Sequence, residues 1–168
     1  SAPVFKRAYA MSKAVIKALG YRTGFTHMEW FHTEDDEVVF GEIAARPPGG
    51  SSGELMNRTC DFDVYHAWGE ALVHGQISAR PERKYNVAIV FKRAKGEGRI
   101  RRVVGLDHIE RVLGSALLRH ELLPVGSRRR DWKSTLLSDG FVMLRHPSLE
   151  TTLQLADVVD EELHLDAG

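Results

Sequence analysis

The chain has 168 residues, 43% of them apolar and 27% charged, and its 23 basic residues balance 23 acidic ones. Zero net charge argues against a broad electrostatic footprint for nucleic acid or an anionic membrane, and no apolar run approaches the ~20 residues of a membrane span. A chain of this length buries one good core or two small ones, while its single cysteine, Cys60, excludes an internal disulfide and suits a reducing, cytoplasmic setting.

Apolar residues at Val4, Ala8, Met11, Val15 and Leu19 predict a helix over residues 4–19, with Gly20 as its stop. Ser1-Ala2-Pro3 precedes it without an initiating Met and without a signal peptide. The chain therefore reads as a piece of a longer protein, with Ser1-Ala2 as the remnant of a tag. Strands are expected at 24–32 and 38–46. The second alternates Val38, Phe40, Glu42, Ala44 and Arg46 with Val39, Gly41, Ile43 and Ala45. Pro47-Pro48-Gly49-Gly50-Ser51-Ser52-Gly53 cannot continue a strand and forms a loop with free backbone N–H groups. A short helix, 54–60, follows. The next, about 64–74, is capped by Asp61 or Asp63, carries Val64, Trp68 and Leu72 on its core face, and stops at Gly75.

After residue 85 the texture changes. Strands are expected at 85–92, 99–104, 117–125 and 140–145, with turn signals between them, and a short helix at 106–113. The last helix, 148–163, has Ser148 as N-cap and Leu149, Leu153, Leu155, Val158 and Val159 as its apolar set. The reading is two units, 1–84 and 85–168.

The candidate chemistry lies in the first strand pair. A turn centred on Asp35-Asp36 pairs Phe31 with Phe40 and sets Glu29 opposite Glu42, with Cβ atoms roughly 5 Å apart on one face. Like charges directly opposed are destabilising there, so a fold that keeps them has reason to hold a cation between them. Hard divalent ions prefer such carboxylate oxygens. The plain alternative turns both glutamates to solvent on an open sheet face. Arg46 on the same face and the glycine loop behind it add a guanidinium and free donors, a set suited to phosphate.

The run Phe25-Thr-His-Met-Glu29-Trp-Phe31, a short acidic turn, and Phe40-Gly-Glu42-Ile-Ala-Ala-Arg46-Pro-Pro-Gly-Gly50 resemble the metal-binding strand pair of the ATP-grasp superfamily. Within it they are similar to the L-amino-acid ligase (carboxylate–amine ligase) branch, over about 27 residues. More loosely, residues 1–84 resemble the last third of an ATP-grasp domain, and 85–168 the β-rich C-terminal subdomain of those ligases. The resemblance implies an α+β fold: the C-terminal lobe of an ATP-grasp fold, antiparallel strands plus helices, followed by a small β-rich subdomain with a terminal helix. It implies a ligase in which ATP phosphorylates a carboxylate and an amine displaces phosphate from the acyl phosphate. Glu29 and Glu42 would then hold Mg²⁺ (or Mn²⁺) against the ATP phosphates, and Arg46 would stabilise the transferring phosphoryl group. Gly49 and Gly50 would offer N–H groups to substrate oxygens, with His27 near substrate. The implied partners are small carboxylate and amine substrates and the N-terminal lobes of the same protein. No nucleic acid or membrane is implied, and a homodimer is left open.

Ala44 stands where much of the superfamily has an Asn that helps hold a second metal, which favours the amino-acid ligase branch over biotin carboxylase or carbamoyl-phosphate synthase. No glycine-rich phosphate lid precedes residue 24, so this chain alone is expected to be inactive. A non-enzymatic reading, an ATP-grasp-derived association or ligand-binding module, is the rival. A third reading takes Arg128-Arg129-Arg130-Asp131-Trp132, with Arg99-Ile-Arg101-Arg102, as a nucleic-acid surface; a solvated turn explains the same residues.

Overall fold

Pro3, whose fixed φ suits the first turn of a helix, opens α1 (Pro3–Ala18) in the computed structural model, which describes residues 3–131 and 133–168. Ser1, Ala2 and Trp132, to which two of the sequence expectations refer, lie outside the described residues. The chain divides into two compact units. The first comprises residues up to Asn57 and Phe62–Pro81, the second Arg58–Asp61 and Glu82–Gly168.

In the first unit, α1 buries Ala8 and half-buries Val4, Met11 and Val15, the expected stripe, while Leu19 lies past the helix end and is exposed. Gly20 follows in the left-handed region, φ +64°, where a residue without Cβ pays no steric cost. The strands are β1 (His27–His32) and β2 (Val38–Ala44), an antiparallel pair closed by a turn through Asp36. Phe5 of α1 meets Trp30 of β1 edge-on, ring centroids 6.1 Å apart, so α1 covers the face that carries Trp30. Helices α2 (Ser52–Cys60) and α3 (Val64–His74) follow.

Asp63, not Asp61, caps α3, its carboxylate accepting the N–H groups of Tyr65 at 2.9 Å and His66 at 3.0 Å. Gly75 ends the helix at φ +71° and returns its N–H to Ala71. Asp63→Ala is expected to cost about 1 kcal/mol of unfolding free energy, read as a lower urea midpoint at unchanged slope. The buried stripe of α3 is Val64, Ala67 and Ala71, with Trp68 half-buried; Leu72, expected in the core, is 55% exposed. The i, i+3, i+7 spacing of the small alanines sets the buried line, and Leu72 falls to its side.

The second unit holds β3 (Asn86–Lys92), β4 (Ile100–Val104), α4 (Leu106–Leu113), a single 3-10 turn (Gly114–Ala116), β5 (Leu117–Leu122), β6 (Gly140–His146), α5 (Leu149–Glu162) and β7 (His164–Ala167). Strand β6 is the centre of an antiparallel sheet in the order β3-β6-β5. One face of it packs under α4 and α5 through Val142, Leu144, Ile109, Leu113, Val159 and Leu163. Pro124, which has no N–H for a ladder, keeps β5 from reaching the expected residue 125. Strand β7 was not expected. It pairs with β4 in a separate two-stranded sheet, Val103 opposite Leu165, and Leu165 closes a small core with Ala94 and Ile100.

Helix α5 also departs from expectation. Leu149 and Leu153 are exposed, and the buried line runs through Thr152 and Val159. Thr152 tolerates burial because its hydroxyl donates to the Ser148 carbonyl at 2.8 Å.

Near the start of β3, Arg145 donates to Asp61 at 2.6 Å and stacks 4.1 Å over the Tyr85 ring, and Lys84 lies 3.4 Å from the same carboxylate. The Arg145 hydrogen bond chiefly, then that of Lys84 and the charges of both, hold the Asp61 carboxyl below its ordinary range against an opposing desolvation. A carboxyl depressed on folding stabilises above its unfolded pKa, near ~4, and loses that contribution as pH falls through the folded value. Asp61→Asn should therefore flatten the acid limb of stability. Denaturant midpoints at pH 7 and pH 3 should differ less in the variant than in the wild type.

Candidate functional site

Register brings the two glutamates together. His27 pairs with Ala44, Met28 with Ile43 and Glu29 with Glu42. The ladder then slips by one: Trp30 pairs with Phe40, Phe31 with Val39 and His32 with Val38. Gly41 is the extra residue of a β-bulge. A Cβ on Gly41 would sit 3.0 Å from the Glu29 carbonyl oxygen and 3.1 Å from the Phe31 ring, so a larger residue would have to push these neighbours back by a few tenths of an ångström. The expected Phe31–Phe40 pair is thus replaced by Phe31–Val39. Simple alternation along β2 fails as well, because Phe40 joins the Trp30 face while Glu42 keeps the Glu29 face.

Glu29 and Glu42 are exposed and directly opposed. Among the described residues, neither carboxylate makes a hydrogen bond or an ion pair. The turn above them is different. Asp36 takes His32 and Arg7, each at 2.7 Å, and the His32 hydrogen bond first, with help from Arg7, holds its carboxyl below the ordinary range. The acid in the turn is compensated within the fold, and the facing pair is not. Among the described residues no three His, Cys, Asp or Glu side chains gather as a metal centre. Two facing carboxylates with open oxygens remain a fitting donor set for a hard cation whose other ligands come from a phosphate chain or water.

Arg46 is placed differently from expectation. Strand β2 ends at Ala44, so strand alternation does not carry Arg46 onto the glutamate face. Its guanidinium donates to the Pro47 carbonyl at 2.9 Å and lies beside Gly49, where a Cβ would be 3.6 Å from Nη1. Gly50 adopts φ +59°, and both glycines are exposed ahead of α2. Arg46 and the Gly49-Gly50 backbone therefore form one local cluster directly downstream of β2.

His27 opens β1 on the glutamate face, opposite the small Ala44. Its Nδ1 is buried and, among the described residues, without a hydrogen-bond partner. The ring also borders an open groove of about 540 Å³ formed by the Gly24–Met28 segment with Pro48, Met56, Phe62, Ile77 and Pro81. Sequence reading did not find this groove, because its walls come from six separated places in the chain with no common period. Cys60 is half-buried and free.

No family model matches the sequence, and no curated protein does. Solved structures do. An L-amino acid ligase from Bacillus licheniformis superposes with a TM-score of 0.75 at 20% identity, over 95% of this chain and 42% of that one. The N5-carboxyaminoimidazole ribonucleotide synthetase of Thermotoga maritima gives 0.66 at 19% identity, over 97% of this chain and 42% of that one. Phosphoribosylglycinamide synthetase from Anaerococcus prevotii gives 0.62 at 14% identity, over 96% and 42%. The chain has the fold of a partial ATP-grasp lobe. The chain spans about two fifths of the length of the proteins it matches. Among its described residues no helix is long and apolar enough to cross a membrane.

Proposed function

We propose that this lobe carries the metal-binding side of an ATP-dependent carboxylate–amine ligase, joining amino-acid-like substrates through an acyl phosphate. The observation that carries the reading is the direct opposition of Glu29 and Glu42 without a counter-charge, on a fold shared with an L-amino acid ligase. Residues 1–84 are read as the C-terminal part of the ATP-grasp domain, 85–168 as its β-rich subdomain, and the cytoplasm as the setting.

Glu29 and Glu42 hold Mg²⁺ or Mn²⁺, which when bound supplies charge neutralisation on the ATP phosphate oxygens. The chain's own residues do the rest. Arg46, freed of its Pro47 carbonyl, offers a planar fork to the phosphoryl oxygens as the carboxylate attacks and ADP leaves. Gly49 and Gly50 present backbone N–H groups to the substrate carboxylate. His27 lends a ring nitrogen at the edge of the groove, where a substrate group can meet it. The amine then attacks the acyl carbon and phosphate departs. Ala44 adds no ligand, which leaves the two glutamates as the protein's share of the metal shell.

The test uses the full-length protein. Glu29→Gln and Glu42→Gln are assayed for ATP turnover with candidate amino acids. Turnover unchanged in both variants would remove the assignment.

A further inference from the structure

The arginine-rich turn of the second unit has no part in the reading above. In the fold it meets the other basic segment: Arg99 and Arg128 pair antiparallel, Ile100 donates to the Ser127 carbonyl at 2.8 Å, and Arg129 N–H to the Gly98 carbonyl at 3.0 Å. Two cationic stretches are thus laid side by side by backbone hydrogen bonds, although like charges held close are unfavourable.

Three of the guanidinium groups are held in place but not neutralised. Arg99 donates to the Gly126 carbonyl at 2.6 Å, Arg129 to the Gly96 carbonyl and Arg130 to the Ser138 carbonyl. Neutral carbonyls orient a guanidinium and leave its charge in place. Among the described residues, Arg99, Arg128, Arg129 and Arg130 make no ion pair, whereas nearby Arg102 is paired with Asp166 at 2.6 Å. The backbone of the turn is anchored by Asp139, fully buried, whose carboxylate accepts the N–H groups of Ala94 at 2.8 Å and Arg130 at 2.6 Å.

These groups border an open concavity of about 560 Å³, with Arg128, Arg129, Arg130 and Lys133 on its walls against Glu97 and Asp131. The Asp131 carboxylate is turned to its own loop, accepting the Lys133 N–H at 3.0 Å. Four basic residues against two acidic ones, with the Arg129 and Arg130 guanidinium groups held by carbonyls before any ligand arrives, favour an incoming anion, since part of the ordering cost is already met. We propose that this concavity binds a small anion bearing two or more clustered oxyanion groups, a phosphate chain or a polycarboxylate. Zero net charge over the chain and the small extent of the basic surface favour a compact ligand over a nucleic acid.

The site lies wholly in the second unit and stands apart from the Glu29–Glu42 reading. Calorimetric titration of this chain in Mg²⁺-free buffer with tripolyphosphate, and separately with citrate, tests it. One-to-one binding of either is expected, and the stronger of the two names the source of the oxyanions. Arg128 is exposed, and its side chain holds no other part of the fold. Arg128→Gln should therefore weaken binding about tenfold at unchanged thermal midpoint, with Arg128→Lys in between. Glu29→Gln should bind as the wild type does. The proposal is overturned if neither anion binds, if Arg128→Gln binds equally well, or if Glu29→Gln abolishes binding. Tighter binding of a single-stranded oligonucleotide with a steep salt slope would also overturn it, and would assign the face to nucleic acid.

Discussion

Glu42→Gln, and equally Glu29→Gln, should lower ATP-dependent turnover of the full-length protein by about a hundredfold or more, the scale of removing one stabilising contact to developing charge. The two carboxylates are exposed and opposed, so an isosteric amide disturbs neither core nor register. Stability should move the other way. In metal-free protein, opposed like charges cost free energy, and each Gln variant should be as stable as the wild type or slightly more so. Added Mg²⁺ or Mn²⁺ should then stabilise the wild type and leave the variants behind. This crossover in thermal midpoint separates a cation site from a polar sheet face, for which metal would shift wild type and variants alike. Activity retained in both variants, with no crossover, would end the metal assignment.

The largest stability effect is expected at Asp139. It is fully buried, and its two carboxylate oxygens serve two backbone donors from separate segments, Ala94 N–H and Arg130 N–H. Asp139→Ala removes two charge-assisted hydrogen bonds and strands both donors away from water, at a combined cost of about 3 kcal/mol or more. The loss should appear as a fall of over ~10 °C in the thermal midpoint of the second unit. Amide exchange should speed up at Ala94 and Arg130 before it does along β6. A shift below ~1 kcal/mol would mean that water replaces the carboxylate without penalty.

Asp139 also shows why part of this molecule was illegible. In sequence it stands between Ser138 and Gly140, a plain turn. Its role depends on where the segment after β3 returns, and no local pattern carries that. Helix α4 and the cap and stop of α3 were readable because periodicity, N-cap chemistry and a left-handed glycine are local. Strand β7 was missed because four residues directly after a helix carry no turn signal, and they become a strand only by pairing with β4. Leu72, Leu149 and Leu153 are apolar but exposed, since the neighbour that meets a helix decides which of its sides is buried.

At the glutamate pair the two kinds of information divide cleanly. The residues themselves determined that two acids flank an acidic turn at spacings that let them meet, with an arginine and a glycine loop behind. The tertiary structure decided how they meet. The Gly41 bulge moves Phe40 to the Trp30 face while Glu42 stays opposite Glu29. Strand β2 ends at Ala44, opposite the first residue of β1, so Arg46 is placed by its own loop. A bulge changes which residues share a face without changing composition or turn signals, and here glycine eases the close approach to the Glu29 carbonyl, which an added Cβ would meet at 3.0 Å. Likewise the sequence determined that arginines cluster near 99 and 128, and only the pairing of those backbones, anchored on a buried aspartate, brought them to one concavity.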